Sequence, residues 1–573
     1  MSLNSFGIGL SGLRSNLAAI ETVGHNIANA NTEGYSRQRV NLTPRKADVN
    51  GSFTTGRGVK VATIERISDS FLEGRVRKET SLLNNLTQNA NTMKEVEFVL
   101  NELSDEDLSS KLNDFFNATQ DFANNVDDNS TRVSLLEQGE SLASELRRLH
   151  GTLSQVQSSL DSNLGLEVQN ANAIISEIAN LNANIIQIEA GGFGTTVAND
   201  LRDKRDVSLT KLSKIMALEV VEESNGAALV SSAGQVLVAQ GVANNLEASQ
   251  VEINGNIKNR IQFINGISFE IKGGRLESFV ESRDVTIEGF KDGFNLLAGQ
   301  LIFSLNQIHS TGRGTEGLEK TVSEHHVFDP NLALNKTGYS ISNNKEIFQI
   351  KNGSFDIVIE DTSTQVERRF TINVDLNGIG KETTMNDIVN QLNIVPNIKA
   401  EINSQKKLVI ETNNSNSRFR FDEDSSNFLA TMGIHSFFSG TDAATIKVNE
   451  DLKKTPSLLS GALSTKEGDN SNAVKITQLR DQLIFNNGSI SLDEYYQTIV
   501  GSIAIESSKS IDLVSTHELI LDNLKNLRDE VSGVSLDEEA ANLLRFQRSY
   551  QASAQYIAVI NEILETLIFR LGV

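Results

Sequence analysis

Few residues of this 573-residue chain have the chemistry of a catalytic or metal-binding site. His325 and His326 are adjacent, and neighbouring residues of an extended chain point to opposite faces. A metal site would need a third ligand at a helical or hairpin spacing, which the sequence does not offer. The chain has no cysteine, which excludes disulfides, thiolate nucleophiles and cysteine ligands. We therefore interpret the two histidines as loop residues.

Gly312, Gly314 and Gly317 spell the pattern G-x-G-x-x-G, which is typical of dinucleotide-binding loops. Such a loop requires a strand before the glycines and a helix after them. Here a predicted helix precedes the glycines, and polar, strand-like residues follow them. The sequence also shows no nucleophile–base pair, carboxylate dyad or phosphate loop in a context that would support its function. The sequence therefore predicts no cofactor, no bound metal and no enzymatic activity.

Residues 198–206, ANDLRDKRD, concentrate charges of both signs on a predicted helix. Asp200 and Lys204 are four residues apart, and so are Arg202 and Asp206, which is the spacing of ion pairs on a helix surface. Each such pair contributes only about 0.2–0.5 kcal/mol to helix stability. We therefore interpret the run as a solvated helix face.

Capping residues mark the starts of two predicted helices. A glycine-rich stretch at residues 191–194 ends the preceding helix, and Asn199 or Asp200 is predicted to cap the next one. Near the other end of the chain, Ser535 and Glu538 have the spacing of a capping box. These signals predict helices that begin at about residues 200 and 536.

Both ends of the chain carry apolar residues at steps of three and four, the pattern of a coiled-coil seam. The N-terminal stripe consists of Leu3, Phe6, Leu10, Leu13, Leu17, Ile20 and Ile27. The C-terminal stripe consists of Phe546, Tyr550, Ile557, Ile560, Leu564, Leu567 and Leu571. A helix with such a stripe needs a partner, so the two ends are predicted to pair with each other or with copies of themselves.

The middle of the chain alternates between helical and strand periodicity. A hairpin is predicted within residues 38–70, and long helical tracts follow at about 69–125 and 131–190. Strand periodicity dominates about 218–280 and, after a helix at about 284–310, again about 347–438. Helices return after about residue 449 and are predicted to pack on the early helical tracts.

These patterns predict a multidomain α+β fold. The terminal helices pair as a coiled coil, a long α-helical bundle forms a rod, and β-rich domains are inserted between the early and late halves of that bundle. The predicted domains are a terminal coiled-coil assembly domain (1–37 plus 535–573), a helical rod domain (38–210 plus 450–534), a β-rich domain with a helix (211–345) and an inserted outer β-rich domain (346–449).

The charge balance limits the classes of partner. Lys and Arg number 52 against 74 Asp and Glu, and a net charge of −22 argues against nucleic acid or an anionic membrane surface as a broad partner. The N-terminus has no basic segment before Arg14, and its apolar residues are spaced rather than continuous. We therefore expect neither a secretory signal peptide nor membrane insertion.

Three motifs carry a family resemblance. ANANTEGYSR, residues 28–37, resembles the N-terminal signature shared by axial proteins of the bacterial flagellum. ANDLRDKRD is similar to a segment typical of the hook-associated protein 1 family, FlgK. GVSLDEEAANLLRFQRSYQASAQYIAVINEILETL, residues 533–567, closely resembles the C-terminal signature of the same family, and its DEEAANLLRFQ part distinguishes that family from the hook protein.

The resemblance implies a structural protein at the junction between flagellar hook and filament. It implies export through the flagellar type III apparatus with an export chaperone, and assembly into a ring with the hook protein below and a second junction protein of the FlgL type above. The implied location is outside the cell, at the distal end of the hook. The alternatives are another axial flagellar protein, an adhesin or effector exported by a type III system, and a hydrolase that acts on the cell wall.

Overall fold

The computed structural model describes residues 3–50, 53–100, 107–191, 197–253, 256–486 and 488–570. The fold is multidomain α+β, which confirms the predicted fold class. Contacts within the chain group its residues into two compact units. The first unit comprises Met1–Thr92, Ser159–Arg283 and Ser508–Val573, and the second comprises Met93–Ser158 and Asp284–Ser507. The division into four domains stays a prediction.

Helices and strands alternate along the chain much as the periodicity predicts. The helices are α1 (Leu3–Ala28), α2 (Ser70–Leu100), α3 (Leu108–Asn124), α4 (Asn129–Gly191), α5 (Asn199–Ile215), α6 (Gly274–Glu281), α7 (Ile287–Ser310), α8 (Met385–Ile394), α9 (Phe428–Met432), α10 (Glu450–Lys454), α11 (Ser471–Gln478), α12 (Leu492–Ser532) and α13 (Leu536–Arg570). The strands are β1 (Gln38–Pro44), β2 (Asp48–Asn50), β3 (Phe53–Thr55), β4 (Val59–Arg66), β5 (Glu219–Glu222), β6 (Ala228–Ser232), β7 (Gln235–Ala239), β8 (Val242–Ala243), β9 (Leu246–Ile253), β10 (Asn256–Phe263), β11 (Lys320–His326), β12 (Gly353–Asp361), β13 (Val366–Val374), β14 (Ile398–Ile402), β15 (Lys407–Thr412), β16 (Ser417–Asp422), β17 (Phe438–Ser439) and β18 (Lys447–Val448).

In the first unit, the terminal helices α1 and α13 pack against each other. Asn26, near the end of α1, contacts Glu539 in the first turn of α13, whereas Gly9, near the start of α1, lies against Ile557. The two helices are therefore antiparallel. Strands β1 and β4 form the predicted antiparallel hairpin, and both strands contact α1.

The helical part of the first unit is built from early and late chain segments. Leu72 and Val76 of α2 form a small core with Leu521 and Leu524 of α12. The late helical arm therefore packs on the early tract, as the apolar spacing predicts. The remaining strands of this unit form the antiparallel pair of β2 and β3, a four-stranded sheet in the order β5-β6-β7-β8 and the hairpin of β9 and β10.

The second unit contains the larger β-rich core. Its sheets have the orders β13-β12-β16 and β11-β15-β14, and α8 contacts β13 and β14. Phe355 of β12 stacks on Phe428 of α9 with ring centroids 5.1 Å apart, and both rings are buried. Helix α8 begins with a complete capping box between Thr384 and Asp387. This box fixes where the chain turns from the sheet into the helix.

The interpretation of His325 and His326 as loop residues is wrong. Both lie on β11, which pairs with β15, and the His325 ring is buried against Phe348. The glycines before this strand serve close packing, because a Cβ on Gly314 would lie 2.1 Å from the carbonyl oxygen of Ser457. Within the described ranges, no helix is both long and apolar enough to cross a membrane.

Candidate functional site

The three motifs that carry the family resemblance meet at one place in the first unit. The backbone amide of Ser36, in the first motif, donates to Asp203 Oδ2 of the second motif at 3.2 Å. Arg37 Nε, also in the first motif, donates to Glu539 Oε1 of the third motif at 2.7 Å. Direct polar contacts therefore join segments that are 167 and 502 residues apart in sequence. We call this set of contacts the junction network.

Asn26 lies at the centre of the junction network and is 1% exposed. Its Nδ2 donates to the carbonyl oxygen of Gln38 at 2.9 Å and to Glu539 Oε2 at 3.1 Å. Its Oδ1 accepts from the amide of Gln38 at 2.9 Å and from the Tyr35 hydroxyl at 2.8 Å. Both donors and both acceptor sites of the amide are thus used. A buried polar group that is fully satisfied favours a single arrangement of the segments that it joins.

Arg37 links this centre to the start of α13. Its Nη1 donates to Glu538 Oε2 at 2.7 Å, and its backbone amide donates to the carbonyl oxygen of Ser532 at 2.9 Å. The predicted capping box of α13 is only half formed. Ser535 Oγ accepts from the Glu538 amide at 3.5 Å, but the Glu538 carboxylate binds Arg37. The side chain that would cap the helix instead ties it to the first motif.

The interpretation of ANDLRDKRD as a solvated helix face is wrong. Asp203 is 6% exposed and accepts from Arg66 of β4 at 3.1 Å, and the same guanidinium binds Asp206. Arg202 binds Glu189 of α4 at 3.0 Å. Arg202 and Asp206, which were predicted to pair with each other, therefore bind α4 and the hairpin instead, whereas Lys204 stays exposed.

Burial perturbs several ionisable groups of the junction network. Burial lowers the pKa of Arg205, which is 1% exposed and donates to Asn182 Oδ1 at 3.2 Å and to the carbonyl oxygen of Gly226 at 2.7 Å, to about 10. Burial raises the pKa of Asp203, and Arg66 only partly offsets this. Burial, followed by nearby carboxylates, raises the pKa of Tyr35. Asp203 and Tyr35 lie where the motifs meet, whereas Arg205 holds the second motif against α4 and the turn at Gly226.

The predicted cap of α5 is also wrong. The N-cap residue is Ala198, whose amide donates to Glu189 Oε1 at 3.1 Å, and its side chain makes no capping bond. Asn199 Nδ2 donates instead to the carbonyl oxygen of Ile64 at 2.8 Å. Asp200 Oδ1 accepts from Gln38 Nε2 at 3.0 Å. Both side chains that were predicted to cap α5 thus bind the hairpin instead.

A cleft of about 1030 Å³ borders the junction network. It is lined by residues 30–37, by faces of α2 and α5, and by the turn between α12 and α13. Burial, followed by the charge of Asp206, raises the pKa of Glu73 in this cleft. No set of His, Asp and Glu side chains among the described residues is placed to hold a metal ion.

The terminal helices approach closely because small residues lie between them. A Cβ on Gly9 would lie 2.5 Å from Ile557 Cγ1, and a Cβ on Gly12 would lie 2.8 Å from Ser553 Oγ. Separations of this kind leave no room for a larger side chain. The contact face of α1 is therefore formed in part by glycine rather than by leucine.

The predicted stripe on α1 is only partly covered. Its exposed members are Phe6 at 40%, Leu17 at 44% and Ile27 at 37%. Its half-buried members are Leu10, Leu13 and Ile20. The buried residues of α1 are instead Gly9, Ser11, Ser15, Ala19, Thr22, Val23 and Asn26. The residues that line α13, at positions 9, 12 and 26, each precede a member of the predicted stripe by one residue, or about 100° around the helix.

The predicted stripe on α13 lies nearer to the contact. Its half-buried members are Phe546, Tyr550, Ile557, Ile560 and Leu564. The side chains of Leu3 and Leu567, and all of Leu571, lie outside the described residues. The structure thus brings the C-terminal stripe toward α1 and leaves much of the N-terminal stripe facing outward. The role of both stripes as an assembly surface stays a prediction.

Comparisons with known proteins agree with the motifs. Residues 93–321 match the family model described as "Flagellar hook-associated protein FlgK helical domain". Residues 528–569 match "Flagellar basal body rod FlgEFG protein C-terminal", and residues 6–35 match "Flagella basal body rod protein". The chain is 25% identical over 580 residues to flagellar hook-associated protein 1 of Bacillus subtilis, which covers 98% of this chain and 97% of the relative. The chain belongs to the flagellar hook-associated protein 1 family.

A second relative supports this membership over the full length. Flagellar hook-associated protein 1 of Salmonella typhimurium is 24% identical over 575 residues, covering 98% of each chain. The flagellar hook junction protein FlgK from Burkholderia pseudomallei has a similar fold, with a TM-score of 0.50 and 15% identity. That likeness covers 80% of this chain and 100% of the solved one. The two relatives thus match this chain over nearly their full length, and the Burkholderia protein has a similar fold over 80% of this chain.

Proposed function

We propose that this chain is a structural component of the bacterial flagellum, located outside the cell at the distal end of the hook, where it joins hook to filament. Its copies assemble through the terminal helices into a ring. Two findings support the proposal: the match to hook-associated protein 1 relatives over 98% of the chain, and the open apolar stripe on α1. The role is structural rather than enzymatic.

The exposed apolar stripe on α1 is the main observation that supports assembly through the terminal helices. Phe6, Leu17 and Ile27 remain exposed although α1 is already paired with α13. Burial of such side chains contributes about 1.5–3 kcal/mol each. Since α13 already occupies one face of α1, the occupant of the open face is another copy of this chain or a neighbouring axial protein.

The junction network sets the orientation of α1 and α13 relative to the hairpin and α5. Asn26, Arg37 and Glu539 fix the ends of α1 and α13 to the start of the hairpin, and the amide of Ser36 binds Asp203 of α5. A ring requires that each copy present the same surface at the same angle to the next copy. We therefore assign the junction network the task of holding the assembly helices at that angle.

The other proposed partners are inferred from family membership. They are the hook protein on one side, a second junction protein of the FlgL type on the other, and a flagellar export chaperone before assembly.

The proposed domains are a terminal assembly domain (1–37 plus 535–573), a rod (38–210 plus 450–534), a β-rich domain (211–345) and an outer β-rich domain (346–449). Neither nucleic acid nor a membrane is part of the proposal.

The assembly surface is tested with a matched pair of substitutions. Leu17→Asp places a carboxylate in the exposed stripe of α1, and Ile379→Asp places one at a site that is 80% exposed in the second unit. Both variants are expected to melt like the parent protein. In a strain that lacks the gene, Leu17→Asp should abolish filament growth and motility, while Ile379→Asp should restore both. Normal filaments with Leu17→Asp would contradict assembly through this stripe.

The location is tested by labelling, since the chain has no cysteine of its own. A single cysteine introduced by Ile379→Cys and coupled to gold should mark one band at the boundary of hook and filament in negative-stain images of purified flagella. Label along the hook would favour another axial protein. Label on the cell body would favour an exported adhesin or a wall hydrolase.

A further inference from the structure

Two buried histidines of the second unit join separate segments of the chain. His309 lies in the last turn of α7 and is fully buried, and His435 follows α9 and is 9% exposed. Their ring centroids are 4.8 Å apart. His309 Nδ1 donates to the carbonyl oxygen of His435 at 2.8 Å. The end of α7 is therefore held against the segment after α9 by an imidazole.

Hydrogen bonds fix the protonation state of His309. Its Nε2 accepts the backbone amide of Ser460 at 3.1 Å. A ring nitrogen that accepts an N–H cannot itself carry a proton, so this imidazole is neutral with its proton on Nδ1. His435 Nε2 and Ser460 Oγ share a further hydrogen bond of 2.8 Å. Ser460 thus contacts both rings, through its backbone and through its side chain.

The surroundings oppose a positive charge at these rings. Arg132 of α4 is 3% exposed and donates to the carbonyl oxygens of Leu459 and Val126, each at 2.7 Å. The charged or titratable groups that face His309 are this guanidinium and the ring of His435. Burial, together with the smaller effect of the Arg132 charge, lowers the pKa of His309 to about 4, although the hydrogen bond to His435 acts in the opposite direction. Burial, followed by His309, lowers the pKa of His435.

We propose that His309, His435 and Ser460 form an acid-sensitive latch. A proton on His309 Nε2 displaces the amide of Ser460 and places a second cation beside Arg132. Segment 459–461 is then released from the end of α7, so the second unit loosens on acidification.

The direction in which stability changes with pH follows from the number of protons that the folded and unfolded states bind. An ordinary histidine in the unfolded chain titrates near 6.5, well above the folded value of about 4. Between these values the unfolded state binds more protons, so stability is complete above about pH 6.5 and falls as the pH falls through this interval. The unfolding equilibrium constant rises up to about tenfold per pH unit for each such histidine.

Two carboxyl groups of the same unit act in the opposite direction. Burial raises the pKa of Glu324 and of Asp424, so protonation of these groups in the folded state offsets part of the loss on acidification. The pH dependence of the parent protein alone is therefore not diagnostic. The difference between the parent and a variant that lacks only the imidazole isolates the latch.

The test compares the full chain with His309→Gln. Glutamine supplies an oxygen that can accept the amide of Ser460, and it does not titrate. Denaturant unfolding at about pH 7 and about pH 5 should show that the unfolding constant of the second unit rises at least about tenfold more in the parent than in the variant. His326→Gln, a substitution of a half-buried histidine on β11, should behave as the parent does.

Hydrogen exchange at the amide of Ser460 reports on the latch directly. After correction for the intrinsic pH dependence of exchange, protection should fall in the parent between about pH 7 and about pH 5 and stay constant in His309→Gln. If that variant does not fold, His435→Gln provides the same comparison. Equal pH dependence of parent and variant, or unchanged protection of Ser460, would overturn the proposal.

Discussion

Asn26 of α1 and Glu539 of α13 share a hydrogen bond of 3.1 Å across 513 residues of sequence. Both side chains are 1% exposed. Their contact joins the two ends of the chain at the base of the terminal helix pair. The hairpin and the ANDLRDKRD helix make polar contacts at the same place. The two ends of the chain are thus fixed to each other and to the same support.

We expect Asn26→Ala to destabilise the first unit by roughly 1–3 kcal/mol, because a buried amide is removed and its partners Gln38 and Glu539 lose hydrogen bonds away from water. Denaturant unfolding measures the loss. Asn16→Ala is the matched control, since the Asn16 side chain bonds only within α1, to the carbonyl oxygen of Gly12. A similar loss in both variants would mean that the junction network adds no stability of its own.

The charges of ANDLRDKRD should couple across elements rather than along the helix. A double-mutant cycle of Arg66→Met and Asp203→Asn is expected to give a coupling free energy of about 1–3 kcal/mol, because the two groups are in contact, Asp203 is buried and the Arg66 side chain is only 12% exposed. The cycle for Asp200 and Lys204, the pair that helix spacing predicts, is expected to be close to zero. The reverse order of the two coupling energies would contradict the buried network.

Gly9 and Gly7 provide a test of close packing between the terminal helices. Gly9→Ala should weaken the helix pair, because its Cβ would lie 2.5 Å from Ile557. Gly7→Ala should instead stabilise α1 by roughly 0.5–1 kcal/mol, since nothing lies within 4 Å of its Cβ and alanine is the better helix former. In assembled flagella, where the terminal helices are expected to be protected, hydrogen exchange along α13 should become faster only in the Gly9 variant; unchanged exchange there would contradict the close contact.

In the free protein, we expect both terminal helices to exchange amide hydrogens rapidly, over residues 1 to about 30 and about 540 to 573, except at the amides next to Asn26 that the junction network holds. Between residues 540 and 566 of α13 no described side chain is buried, so little apolar area offsets the entropy of ordering the helix. Residues of α4 should be protected under the same conditions. In assembled flagella the termini should become protected as well. Slow exchange at both termini of the monomer would overturn this expectation.

The helices, the hairpin and the β-rich segments could be predicted because each is encoded in a local period of apolar residues. The contact face of α1 could not, because its buried members include Ser11, Ser15 and Asn26, which hydropathy places in water. The junction network was missed for the same reason. Arg66 and Asp203 are 137 residues apart, and their pairing depends on tertiary contacts rather than on helix spacing.

Helix α1 is held to the hairpin at two points rather than at one. The first is the junction network around Asn26, and the second is Ser11 Oγ, which accepts the backbone amide of Val59 of β4 at 3.2 Å. At about 1.5 Å per residue, the two points are about 23 Å apart, and α1 extends only about 12 Å from Ser11 to Leu3. In a rotating organelle, a load on the start of α1 would therefore be shared between Ser11 and the junction network.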